Sequence, residues 1–164
     1  MLMSKALCPG SFDPMTLGHI DIIKRCSTIF DEVVVLIGKN AEKKGLLSSD
    51  KRLEFSKHAL KEIKNVDVVV YDGLIVDYAY NNNIDVIVKG IRNSADTEYE
   101  NEMANTNKCL SVDKYDKAIE TLYLMTSPEY TYTSSSLVRQ LISMDLPVER
   151  YVHNADLLYK LLEK

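Results

Sequence analysis

The sequence predicts an α/β fold, an open parallel five-stranded sheet with helices on both faces, and three observations carry that prediction. Short aliphatic runs alternate with segments of helical period along the whole chain, which is how βα units read. The runs are mostly unbroken and do not alternate with polar residues, as expected of strands buried on both faces. The 164 residues are 46% apolar and 27% charged, the composition of one ordinary domain spanning residues 1–164.

Taken in order, residues 5–9 form the first strand candidate, and residues 17–28 follow as a helix that puts Ile20, Ile23 and Cys26 on one face. The second strand covers residues 32–38. Ser48 or Ser49 caps the next helix, residues 50–63, whose apolar face holds Leu53, Ala59, Leu60 and Ile63. Asp50 in its first turn suits the positive end of the dipole. Strands at 66–71, 85–89 and 121–125 enclose helices at 75–81 and 96–110. Ser134, Ser135 and Ser136 read locally as a turn leading into a capped helix. Pro147 breaks the chain before a closing amphipathic helix at 154–162, capped by Asn154 and carrying Leu157, Leu158, Leu161 and Leu162.

The charge balance, 20 Lys and Arg against 24 Asp and Glu for a net charge of -4, argues against nucleic acid or an anionic membrane as the main partner. Cys8, Cys26 and Cys109 are odd in number and lack a CxxC spacing, so neither a disulfide framework nor a metal site is expected. A reducing cytoplasm fits that usage. Met1 to Lys5 lacks a hydrophobic signal core, and the longest aliphatic run, Val33 to Ile37, is too short to span a bilayer, so a soluble cytoplasmic protein is expected. The chain has no GxxxxGK[ST], GxGxxG, HExxH or GxSxG pattern.

In an open α/β sheet, ligands sit at the carboxyl ends of the strands. There the chain places Pro9-Gly10-Ser11-Phe12-Asp13-Pro14 with Thr16-Leu17-Gly18-His19, then Lys39, Lys43 and Lys44, then Lys89-Gly90-Ile91-Arg92, then Thr133 to Ser136. Cations, hydroxyls and helix starts gathered on one rim suit phosphate groups. Gly18 would let a phosphate approach the backbone, and His19 could donate to a phosphate oxygen. Each piece alone has an ordinary reading: His19 caps or packs a helix start, the lysines form a solvated loop, and Arg92 makes a surface salt bridge. Asp96, Glu98, Glu100 and Glu102 would likewise be the wet side of a helix. Their joint placement at successive strand ends is what those readings leave unexplained.

The Thr16 to His19 block resembles the (H/T)xGH signature of the nucleotidylyltransferase superfamily. Together with Lys89-Gly90-Ile91-Arg92, Asp96, Glu98-Tyr99-Glu100 and Ser134-Ser135-Ser136-Leu137-Val138, it resembles the bacterial phosphopantetheine adenylyltransferases over Pro9 to Arg139. That resemblance implies a Rossmann-like sheet, a homohexamer, and adenylyl transfer from ATP to 4'-phosphopantetheine with Mg2+. The products would be dephospho-coenzyme A and pyrophosphate.

Carried over residue by residue, the resemblance implies catalytic roles for His19, Lys43 and Ser11, and an acceptor site made by Ser11, Lys43, Ile75 and Lys89. It implies ATP contacts from Ser11, Phe12, His19, Gly90, Ile91, Arg92 and Glu100, and from Tyr130, Thr131, Tyr132, Thr133, Ser134, Ser135 and Ser136. Lys89 stands where many members have Arg, Tyr130 where some have Trp, Thr126 where a Pro occurs, and residues 111–117 look like a small extension. Lys supplies charge without Arg's planar fork. Two rivals remain: a sister transferase using CTP, nicotinate mononucleotide or a phosphorylated polyol, and a nucleotide-sensing module without turnover.

Overall fold

The structure, a computed structural model, describes residues 4–38 and 45–163. Its elements run β1 (Lys5–Gly10), α1 (Leu17–Ile29), β2 (Glu32–Gly38), α2 (Ser49–Leu60), β3 (Val66–Tyr71), α3 (Ile75–Asn81), β4 (Val86–Ile91), α4 (Ser94–Tyr115), β5 (Glu120–Met125), α5 (Ser135–Ser143) and α6 (Ala155–Leu162). The predicted Lys39, Lys43 and Lys44 lie outside the described residues.

The sheet order is β3-β2-β1-β4-β5, with every pairing parallel. Alternate residues of each strand feed opposite faces, which is why the buried runs of the inner strands β1, β2 and β4 are apolar without alternation. Ala6, Cys8, Val33, Val35, Val86 and Val88 join Ile23, Cys26, Phe55, Leu60, Val138 and Leu158 in one core cluster. Leu7, Val34, Leu36 and Ile87 join Ala79, Ile84 and Ile119 in the other. Cys8 and Cys26 are free thiols whose sulfurs touch at 3.8 Å in the first cluster, and Cys109 is exposed.

Two helices differ from their predicted lengths, for tertiary reasons. α2 ends at Leu60 because Ile63 turns back to bond the Leu60 carbonyl at 3.0 Å. Asn65 then anchors that turn by donating to the Ser27 and Phe30 carbonyls. α4 continues past Leu110 through the stretch read as an extension. Ser111 is fully buried there, and its hydroxyl accepts from the Ile119 N–H at 3.0 Å. Lys114 and Tyr115 both reach Asp77 on α3, and Tyr115 stacks on Tyr80 with centroids 4.0 Å apart.

The chain runs outward from β1 to β2 and β3, then returns to the other side of β1 as β4, so a topological switch point lies between β1 and β4. Their ladder is short, pairing only Ala6 with Val86 and Leu7 with Ile87, whereas β1 stays paired with β2 through Gly10 and Ile37. Beyond it Pro9, which has no N–H, cannot extend pairing on its side, and the carboxyl ends of β1 and β4 part.

The turn from β1 to α1 crosses this opening and is held from several directions. Phe12 has φ of 46°, a conformation that costs a non-glycine residue roughly 1 kcal/mol or more. Its ring folds over Gly10, where a Cβ would stand 2.9 Å from ring carbons. The buried Asp13 carboxylate accepts from the N–H groups of Leu46 at 2.7 Å and Leu47 at 2.8 Å. Arg52 donates to the Ser11 carbonyl, Arg139 to the Asp13 carbonyl and Ser135 to the Pro14 carbonyl. Replacing Asp13 by Ala should remove two charge-assisted bonds and cost about 3 kcal/mol. The expected result is a melting temperature lowered by roughly 6–12 °C in calorimetry, since a chain of this size loses about 2–4 °C per kcal/mol.

Candidate active site

Two cavities meet where β1 and β4 separate. The first, about 440 Å³, is lined by the β1 end and turn, the α1 start, Lys89, Gly90 and Arg92 at the β4 end, Thr133 to Ser136, and Arg139. The second, about 430 Å³, lies toward β2 and β3 and is walled by Leu36, Tyr71, Ile75, Met103 and Asn107. Pro9, Gly10, Ser11, Lys89 and Tyr99 line both, so the two spaces share one wall.

Two helix N-termini open on the first cavity. At α1, Thr16 is the N-cap of a capping box: its hydroxyl receives the His19 N–H, and its own N–H donates to His19 Nδ1 at 3.0 Å. A backbone N–H can only donate, so Nδ1 is an acceptor and the ring proton sits on Nε2. His19 is therefore a cap and also presents a fixed donor, the half-buried ring standing edge-on to Phe12 at 5.1 Å. Burial, and then the charges of Arg92 and Lys89, pull its pKa down from 6.5 to about 4. At neutral pH it donates without carrying charge.

At α5, Ser134 caps the helix by accepting from the Leu137 N–H, and Ser136 accepts from Arg139 at 3.0 Å. Both hydroxyl protons remain available to a ligand, whereas Ser135 spends its proton on the Pro14 carbonyl at 2.9 Å. The cations are Lys89, paired with Glu100 at 3.1 Å, Arg92, which donates to the Thr133 carbonyl at 3.4 Å, and Arg139. Directed neutral donors and three cations around one opening can hold a chain of phosphates.

Of the predicted residues, Ser11, Phe12, His19, Lys89, Gly90, Arg92, Glu100, Thr133, Ser134, Ser135 and Ser136 line the first cavity, and Ile75 lines the second. Ile91, Tyr130, Thr131 and Tyr132 do not line either. Ile91 is buried and offers its carbonyl to the Thr126 N–H, Tyr130 packs its Cβ beside Gly18, and Tyr132 points outward, 88% exposed. Gly18 lines the first cavity, but the space its missing side chain leaves faces Tyr130 and the Thr133 carbonyl. Sequence reasoning missed Arg139, one helical turn beyond Ser136, and Cys8, Thr126 and Tyr99 in the wall. The i,i+3 spacing from Ser136 was the available signal for Arg139.

The family model for cytidylyltransferase-like proteins matches residues 7–141. A phosphopantetheine adenylyltransferase of Caldanaerobacter subterraneus subsp. tengcongensis is 48% identical over 139 residues, 85% of this chain and 84% of that protein. The protein of that name from Clostridium novyi is 43% identical over 152 residues, 93% and 91% of the two chains. This chain belongs to the phosphopantetheine adenylyltransferase family of nucleotidyltransferases. Among solved structures, a putative nicotinate-nucleotide adenylyltransferase from Vibrio parahaemolyticus superposes with a TM-score of 0.69 at 17% identity, covering 99% of this chain and 100% of that one. At that identity the likeness concerns the fold. No helix among the described residues is long and apolar enough to cross a membrane.

The depressed pKa of His19 gives the site a pH signature. Unfolded, the ring takes up a proton near pH 6.5; folded, it does so near 4, so between those values the unfolded state binds the extra proton. Stability is complete above about pH 6.5 and falls as the pH is lowered toward 4. The His19 Cε1 proton should titrate in NMR near pH 4, and His19→Asn should lose that part of the decline in melting temperature.

Proposed function

We propose that the enzyme transfers the adenylyl group of ATP to 4'-phosphopantetheine, giving dephospho-coenzyme A and pyrophosphate, by direct in-line attack with no covalent intermediate. The observation that carries this reading is the shared wall: a cavity rimmed by cations and helix N-termini meets a second, more apolar one at Ser11 and Lys89. A triphosphate in the first and a pantetheine arm in the second would bring the acceptor phosphate beside the α-phosphorus. The names of the relatives support the same pair of substrates.

The chemistry needs no side-chain base. A phosphate monoester has a second pKa of about 6 and is already an anionic nucleophile at neutral pH. The protein's task is positioning and charge stabilisation. Ser11 and Lys89 hold the acceptor phosphate, the resemblance adds Lys43, which follows β2 in the sequence, and Ile75 packs on the pantetheine arm. Gly90, Arg92 and Glu100 face the nucleotide, and the Thr133 to Ser136 segment closes over it. His19 donates from Nε2 to a phosphate oxygen that gains charge as the α-phosphorus is attacked. Mg2+ would arrive with ATP and neutralise phosphate oxygens; cations and N–H donors around the first cavity suit those phosphates, leaving the metal to substrate and water.

We assign the enzyme to the cytoplasm as a homohexamer. The outer strand β5 and adjoining α4 leave Leu110, Val112, Leu122 and Met125 exposed, the last two by 50% and 61%. An edge strand with that much apolar surface favours a partner. Light scattering at micromolar concentration should give a mass several times that of the 18.6 kDa chain, and a monomer mass would overturn the assembly.

Pyrophosphate release across a panel of phosphorylated acceptors tests the reaction: 4'-phosphopantetheine should be used, and nicotinate mononucleotide should not. His19→Ala should lower kcat by roughly 10²-fold with a much smaller change in ATP affinity, the pattern of a contact that strengthens in the transition state. The lost capping box should cost only about 1 kcal/mol of stability. Lys89→Met should impair turnover of the acceptor while ATP affinity stays near wild type; loss of ATP binding with unchanged acceptor kinetics would move Lys89 to the other ligand.

A further inference from the structure

Arg52 stands outside both cavities, on α2, yet its surroundings make sense only in relation to them. It is 9% exposed, and one guanidinium nitrogen, Nη1, donates to the Ser11 carbonyl at 2.8 Å and to the Gly38 carbonyl at 3.3 Å. Those oxygens belong to the carboxyl ends of two adjacent strands, since Gly10 pairs with Ile37 in the β1–β2 register. Its Nε is buried without a hydrogen-bond partner, and no carboxylate pairs with it among the described residues.

This is an expensive way to tie two carbonyls together. A buried cation held only by neutral dipoles keeps much of its desolvation cost. Arg52 also lies near the start of α2, the positive end of that helix, where a cation is disfavoured. A tether alone could use a neutral amide. What the position does have is the anion site directly in front: Ser11, whose carbonyl Arg52 grips, lines both cavities.

We propose that Arg52 is a positioning residue for the reaction: it fixes the Ser11 peptide against the end of β2 and lends its charge, which meets no carboxylate among the described residues, to the phosphate bound on the far side of that peptide. The proposal rests on the adenylyl-transfer reading for the identity of the phosphate, and it makes no direct contact between Arg52 and substrate. The charge acts through the dipole of the Ser11–Phe12 peptide, whose carbonyl end is satisfied by Arg52 and whose N–H end belongs to Phe12, both residues lining the first cavity.

Three substitutions in the full-length chain separate the two parts of this role. Arg52→Gln keeps a donor for a carbonyl but removes the charge, Arg52→Lys keeps the charge without the planar fork, and Arg52→Met removes both. The probe is inorganic pyrophosphate, titrated by calorimetry, with kcat and KM for both substrates measured alongside. Arg52→Gln should bind pyrophosphate on the order of tenfold more weakly, and Arg52→Lys should stay within about threefold of wild type. In turnover, Arg52→Gln should lower kcat/KM for 4'-phosphopantetheine by a similar factor, with partial rescue by Lys.

A tether without an electrostatic role predicts the reverse order, with Gln close to wild type and only Met impaired, and that result would overturn the proposal. So would wild-type pyrophosphate affinity in all three. Should Arg52→Gln fail to show a cooperative melt, Arg52→Lys and Arg52→Met keep the proposal open to refutation: a tenfold or greater loss of pyrophosphate affinity in a folded Lys variant, or wild-type affinity in a folded Met variant, overturns it. If wild-type enzyme bound pyrophosphate but released none from ATP and 4'-phosphopantetheine, the reaction assigned above would fail while the affinity series still tested Arg52.

Discussion

The Asp13 carboxylate and the two backbone N–H groups it accepts fix the one turn on which every other part of the site is hung. The turn from β1 to α1 contains Phe12 in a left-handed conformation, which an isolated chain would leave. Side-chain contacts from α2 through Arg52 and from α5 through Arg139 and Ser135 close on the Ser11, Asp13 and Pro14 carbonyls of the same turn. Net hydrogen bonds of about 1 kcal/mol each, more where one partner is charged, outweigh a single strained residue. The strain is useful because it aims the Phe12 ring at His19 and leaves Ser11 facing both cavities.

Charge is arranged in the opposite sense to the chain as a whole. The protein carries a net charge of -4, yet the first cavity is ringed by Lys89, Arg92 and Arg139 and by two helix N-termini. His19 stays neutral in that ring because burial and the cations disfavour its protonation. Neutrality suits its position. A charged imidazolium would bind ground-state phosphate strongly, whereas a neutral Nε2–H held by the capping box gains most when charge develops on the oxygen it faces. The Thr16 N–H that orients the ring is thus as much a part of the site as the ring itself.

Much of this was legible in the sequence, and the reasons differ by element. The strands could be read because burial on both faces removes polar residues, leaving runs such as Val33 to Ile37. The rim could be read because sheet topology carries glycines, hydroxyls and cations at strand ends to one place. Local reading gave His19 two exclusive roles, cap or ligand, and the structure joins the first to a ring open to the cavity. Ile91, Tyr130, Thr131 and Tyr132 sit in the motif segments but do not line either cavity, because a motif names a stretch of chain and not each side chain's place within it. Arg139 could be reached only through its i,i+3 spacing from Ser136, and Arg52 was not legible as a site residue at all, because it serves carbonyls distant in sequence and no periodicity reports such a contact.

The far end of the second cavity shows how the stretch from Ser111 onward takes part. Ile75 from α3 and Tyr99, Met103 and Asn107 from α4 wall that space, so its width is set by how those two helices sit together. Within α4 the added turns carry Lys114 and Tyr115 to Asp77, whose carboxyl is held below its ordinary pKa first by the Lys114 hydrogen bond and then by that of Tyr115. The contacts are exposed, so the ion pair by itself contributes little. Their effect comes from position: Asp77 is two residues from Ile75, and the Tyr80–Tyr115 stack lies on the same helix pair. Ser111, buried and bonded to the Ile119 N–H, ties this clamp to the start of β5 and hence to the sheet. The stretch that the sequence marks only as a small extension is the brace between α3 and α4, and through them it bears on the space beside Ser11 and Lys89.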